Sequence, residues 1–242
     1  MEPSLHQEPS PGPQRKGRQP HQLPAGRHGL TRSYVLSNQR DRIVASVIEE
    51  VSETGYAGLT VRGVVERAGV SRRTFYEHFS NKQDVFLAVY DVVVERLAGD
   101  VRLAYTSGRT YPQQVAFGLE TFLGRLAFYP ALAHVCIVEV LAAGPDALAR
   151  RARALQTFCD LIRPAGESSR RVPPLAVEVA VGGIYEIVGA HVSRGEAHVL
   201  PGLCPELLEV MLIPFVGARR AESESARARE RLVTPAPAPG SR

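Results

Sequence analysis

No tryptophan occurs among the 242 residues, and cysteine, at three, and methionine, at two, are nearly as scarce. Cys136, Cys159 and Cys204 are scattered without metal-ligand spacing, which excludes a zinc frame and a disulfide framework and leaves buried free thiols. The seven histidines are equally dispersed. HExxH, GxSxG and a phosphate-binding Walker loop are all missing, so no catalytic residue, metal site or cofactor is assigned, and a non-enzyme is expected. No apolar run approaches the roughly 20 residues that cross a bilayer, and the N-terminus lacks the apolar core of a signal peptide. The expected location is the cytoplasm, with no membrane partner.

A formal charge of +4 suggests nucleic acid only if it is concentrated where a nucleic acid would lie. It is not. Residues 1–30 hold four Lys/Arg against two Glu, and residues 218–242 hold six Arg against three Glu, so the body between them is almost neutral. Both ends are also poor in apolar periodicity and rich in Pro, Gly, Gln or Ala. They are read as a disordered basic leader, residues 1–33, and a disordered tail, residues 219–242, whose Arg/Glu run is alternatively an extension of the last helix. Arg15, Lys16, Arg18 and Arg27 in the leader are candidates for an arm lying along DNA.

Between the ends, nearly every apolar pattern has helical period, which predicts an all-α chain of about nine helices. Ile43, Val44, Val47, Ile48 and Val51 line a first helix over about 37–54, stopping near Gly55. Thr60 caps a short second helix and Ser71 a third, while Ser80 with Gln83 matches a capping box for a fourth that runs to about 105. Pro112, Pro130, Pro145 and Pro173 stand near the starts of further helices. Those are placed near 112–128, 130–142, 146–163 and 173–194, with a last one at 203–218.

Helix, the turn "AGV", then helix is the spacing of a helix-turn-helix whose second helix enters the major groove. On a helical wheel Phe75 and Phe79 share one side, leaving Arg73, Thr74, Tyr76 and Glu77 on the other. An aromatic underside thus anchors a helix whose outer face suits bases and phosphates.

The segment "LTVRGVVERAGVSRRTFYEHFSNKQDVF" closely resembles the DNA-binding segment of the tetracycline-repressor (TetR/AcrR) family of bacterial transcriptional regulators. The resemblance covers about residues 38–90. It implies a helix-turn-helix domain over 34–81 and an effector-binding and dimerisation bundle over 82–218. By matching position, Arg72, Arg73 and Thr74 inherit base contacts, with Ser71 at the head of the same helix. Tyr76 and His78 match phosphate-contacting positions, His78 being equally suited to a half-buried packing role, and Thr60 and Lys82 are the expected clamps on the backbone. Gly63, inside the second helix, and Val65, where a small alanine is usual, depart from the family pattern.

Beyond residue 106 only the general plan is similar. "LAVEVAVGGIYEIVGAHVSR" and "CPELLEVMLIPFVG" look like the family's two dimerisation helices, with Ala176, Ala180, Gly183 and Gly189 permitting close approach. Phe117, Phe122, Phe128, His134, Glu139 and Tyr185 are pocket candidates that also suit a plain core, so no ligand-binding residue is assigned. The expected protein is a homodimer that binds an inverted-repeat operator in double-stranded DNA as a repressor and is released by a small-molecule effector. Its competitors are an activator or ligand-independent regulator on the same fold, and a helical enzyme or carrier, which would need convergent polar groups that 106–217 do not show.

Overall fold

A computed structural model describes residues 32–164 and 172–233. The leader, but for its last two residues, and the Pro/Ala end of the tail lie outside them. Among the described residues there are ten α-helices and no strand. The all-α expectation holds, with one helix more than the sequence suggested.

The head comprises α1 (Arg32–Gly58), α2 (Val61–Ala68) and α3 (Arg72–His78). Ile43, Val47 and Val51, spaced four apart on α1, are fully buried against Val64, Phe75 and Phe79. Gly55 breaks α1 with a φ of 69°, a left-handed value that favours glycine. Gly69, at φ 61°, ends α2 in the same way and makes the corner into α3.

One helix, α4 (Lys82–Ser107), joins head to bundle. Val85, Phe86, Val89 and Tyr90 belong to the head's core, so packing does not stop at residue 81; Val101 is buried further along. The predicted Ser80/Gln83 capping box is displaced by one residue. Asn81 Oδ1 accepts from the Asp84 amide at 2.9 Å, and Asp84 Oδ2 accepts from the Ser80 amide at 2.8 Å. Gln83 is thereby released to donate from Nε2 to the Ala143 carbonyl at 3.0 Å.

The bundle is completed by α5 (Tyr111–Phe128), α6 (Pro130–Ile137), α7 (Pro145–Ile162), α8 (Ala176–Ser193) and α9 (Cys204–Val216). Short 3-10 helices at Glu139–Ala142 and Ala197–Leu203 connect them. Its core gathers Leu119, Leu123, Val188, Leu200, Leu208 and Leu212.

Two expectations are corrected here. Residues expected in a disordered tail form α10 (Ala218–Val233), which buries Ala221, Glu224, Ser225 and Ala228. Glu224 is 1% exposed and is answered by Arg227 at 3.0 Å and Arg231 at 3.4 Å. Arg231 also reaches Glu120 on α5 at 2.6 Å and covers the Phe117 ring. The buried face is made of small and paired polar groups, so no aliphatic stripe announces it. Secondly, Ala176–Ser193 and Ala197–Val216 are long and apolar enough, by composition, to cross a membrane, contrary to the sequence expectation. Both pack into the bundle and leave apolar residues facing outward: Leu175, just before α8, with Val179, Ile187, Val210 and Ile213.

Candidate nucleic-acid interface and apolar cavity

The head presents α3 on a rigid base. Thr60 Oγ1 accepts from the Gly63 amide at 3.0 Å, and Ser71 Oγ from the Thr74 amide at 3.0 Å, so both expected caps are made. Arg42 donates to the carbonyls of Ala68 and Gly69, locking the corner between α2 and α3. The charge of Arg67 is absorbed by Glu53, Glu50 and Glu49 on α1, and the guanidinium in turn holds the Glu53 carboxyl below its usual range.

Within α3, Phe75 is fully buried and Phe79 nearly so, while Tyr76 is 58% exposed and packs edge-on against Phe75. Arg72 and Arg73 are exposed and Thr74 is half-buried. Arg73 Nε lies 3.2 Å from Glu77 one turn on, an exposed pair of the kind that water screens. The predicted residues Ser71, Arg72, Arg73 and Tyr76 therefore share an accessible surface, with exposed Thr60 at the head of the adjoining helix. His78 differs: it is half-buried, its ring packs beside Phe79, and Nε2 is buried without a hydrogen-bond partner among the described residues. Lys82 is half-buried too. Its Nζ lies 5.0 Å from the Tyr56 ring centroid and within 3.4 and 3.5 Å of the Tyr56 and Ala57 carbonyls, where a cation meets the carbonyl end of α1.

The same end of α1 touches the bundle. Glu139, one of the pocket candidates, accepts from the Tyr56 amide at 2.6 Å and stands 3.4 Å from His134 Nδ1. A side chain on Gly55 would come within 3.3 Å of that carboxylate. Glu139 and His134 thus belong to the joint, Phe128 is 74% exposed, and Phe117 lies under Arg231. Sequence reasoning missed this joint because its partners are 83 residues apart.

Of the six candidates, Phe122 and Tyr185 line an apolar cavity that is partly open to solvent. Val94, Leu97, Leu119 and Met211 supply much of the rest of its wall. Phe122 stacks edge-on with Phe158, and the Tyr185 hydroxyl donates to the Ile137 carbonyl at 3.2 Å. Cys136 borders the space, and burial pushes its thiol up to about 12.

The profile described as "Bacterial regulatory proteins, tetR family" matches residues 43–89, which run from α1 through the capped pair α2 and α3 into α4. Residues 43–89 thus carry a DNA-binding domain of the tetR type. The transcriptional activator FasR of Mycolicibacterium smegmatis is 28% identical over 99 residues, 41% of this chain and 45% of that protein. The regulator EthR of the same organism is 28% identical over 125 residues, 51% of this chain and 56% of that one. The repressor AcnR of Corynebacterium diphtheriae is 38% identical over 63 residues, 26% of this chain and 33% of that one. The chain thus spans about half the length, or less, of the curated relatives it matches. The fold extends further than the sequence match. FadR from Bacillus subtilis in complex with stearoyl-CoA superposes with a TM-score of 0.62 at 20% identity, over 73% of this chain and 98% of that one. FadR from Bacillus halodurans gives 0.64 at 20% identity, over 75% and 96%.

Proposed function

We propose that this chain is a homodimeric transcriptional repressor that binds an inverted-repeat operator and releases it when a small apolar molecule enters the bundle. The observation that carries this reading is the course of α4. Tyr90, Val94, Leu97, Val101 and Tyr105 of that helix form one wall of the cavity. Its first turn, through Lys82 and Gln83, meets the end of α1 and the loop at Ala143. A ligand that favours a different placement of α4 therefore has a rigid route to the head, and shifts DNA affinity by its difference in affinity for the two placements.

In this reading Arg72, Arg73 and Thr74 read base edges, with Ser71 fixing the start of α3. Thr60, Tyr76 and Lys82 hold phosphates; His78 supports α3 from beneath more than it touches DNA. Two heads are required, because one seven-residue helix offers few base contacts. The outward apolar residues of α8 and α9, with open space over Gly182 and Gly183, supply a face that a second copy covers. That dimer accounts for both membrane-like helices without a bilayer, and a cytoplasmic location is part of the same proposal. No catalytic role is proposed.

An activator is the second reading, favoured by the name of FasR among the relatives. Titrating the full chain against duplexes from the DNA flanking its own coding region, with footprinting, tests both. Protection of an inverted repeat overlapping the promoter supports repression, a protected repeat upstream of it supports activation, and no preference over random duplex contradicts either.

A further inference from the structure

The apolar cavity holds one charge that the protein answers incompletely. Among the described residues lining it, Arg151 on α7 is the only charged one. Its guanidinium lies 4.3 Å over the Tyr185 ring, and its Nε is buried without a hydrogen-bond partner among those residues. The carboxylate in reach is Glu186, 3.5 Å from a terminal nitrogen and itself 79% exposed. Neighbouring arginines are better served: Arg150 pairs with Asp91, Arg163 with Glu178 at 2.8 Å, and Arg231 with Glu120 at 2.6 Å. A guanidinium does not shed its proton at ordinary pH, so holding it beside aliphatic walls is costly unless an anion meets it.

The geometry points to Arg151 as the anchor for the carboxylate of an amphipathic ligand whose apolar chain fills the cavity, as in a fatty acid. This rests on the effector-binding reading above and names its ligand class. The side chain is 23% exposed, which places the charge at the border between cavity and solvent, where a head group loses least hydration. A carboxylate presents two oxygens to the planar fork of an arginine. The Tyr185 ring beneath the guanidinium keeps that fork in place. A sugar or a polycarboxylate would instead set unpaired polar groups against Val94, Leu97, Leu119 and Phe122. A neutral apolar ligand would leave the Arg151 Nε as it is.

The full chain, without DNA, is titrated by calorimetry with laurate, methyl laurate, dodecanol, dodecylammonium and lauroyl-CoA. Laurate is expected to bind at least about tenfold more tightly than the ester or the alcohol, with the ammonium weakest. In Arg151→Met, which keeps the wall apolar, laurate loses about ten- to hundredfold and dodecanol is not weakened. Arg151→Lys keeps the charge without the fork and retains part of the preference. Circular dichroism establishes that each variant folds; should Arg151→Met not fold, the wild-type series decides alone. Equal affinity for laurate and methyl laurate, no binding of any probe, or tighter binding of lauroyl-CoA that Arg151→Met leaves unchanged overturns the assignment. Failure here is separable from failure of the regulatory reading, which is judged by duplex binding without ligand.

Discussion

The carboxylate of Glu139 accepts a hydrogen bond from the backbone amide of Tyr56 at 2.6 Å, tying the last turn of α1 to the 3-10 helix that follows α6. Glu139→Ala leaves that half-buried amide without its charged acceptor and should cost about 1–3 kcal/mol of stability. Glu139→Gln, which keeps an acceptor and loses the charge, should cost less. Urea unfolding of the three proteins checks the order; equal stability of wild type and Glu139→Ala would mean that the joint is held by the Tyr56–Phe86 ring pair and Gln83 instead.

Val210, on α9, is 72% exposed and Val179, on α8, is 70% exposed in the isolated chain. If a second copy covers them, Val210→Glu places a carboxylate in each half of a symmetric apolar interface and should weaken dimerisation at least about tenfold. The fold of each subunit should be unaffected, since the side chain there faces solvent before association. Sedimentation equilibrium of wild type and variant measures this, and a wild type that is monomeric at micromolar concentration contradicts the proposed dimer.

Burial raises the thiols of Cys136 and Cys204, each to about 12, and raises that of Cys159. An acid whose folded value lies above its unfolded value keeps its proton longer in the native state. Above the free-thiol value of about 8.5 the unfolded chain therefore binds fewer protons, and stability falls as pH rises. Tyr90 and Tyr111, also raised by burial, add to the loss at higher pH. Unfolding midpoints are expected to be flat towards neutral pH and to drop from about pH 9 upward. Cys136→Ala should make the drop shallower. In the native protein all three thiols should react slowly with an aromatic disulfide reagent.

Much of the head is legible in the sequence because its signals are local: Thr60 and Ser71 cap as their side chains suggest, and Gly69 turns where "AGV" suggests a turn. Gly63 shows what local reading cannot supply. The Glu50 carboxylate, brought from α1 towards Arg67, occupies the space that a side chain at Gly63 would need, so a glycine that weakens α2 makes room for an ion pair. The roles of Glu139, Gln83 and Arg151 are hidden for the same reason, since each depends on a residue distant in the sequence. The cap of α4 slipped from Ser80 to Asn81 because adjacent Ser and Asn both suit that place, and only the position of Asp84 decides between them.

If α3 reads bases while Lys82 holds the backbone, two variants must part ways on three duplexes. Binding of wild type, Arg73→Ala and Lys82→Ala is measured on the protected inverted repeat, on single-base variants of it and on random duplex, across a salt series. Arg73→Ala should lose about 1–3 kcal/mol on the repeat, relax preference at one base pair in each half-site and change little on random DNA. Lys82→Ala should weaken all duplexes by a similar factor and lower the salt slope by roughly one for each phosphate that a subunit no longer neutralises. If Arg73→Ala instead weakens all three duplexes equally, Arg73 is a phosphate clamp; if neither variant changes binding to any duplex, α3 is not the DNA-reading helix.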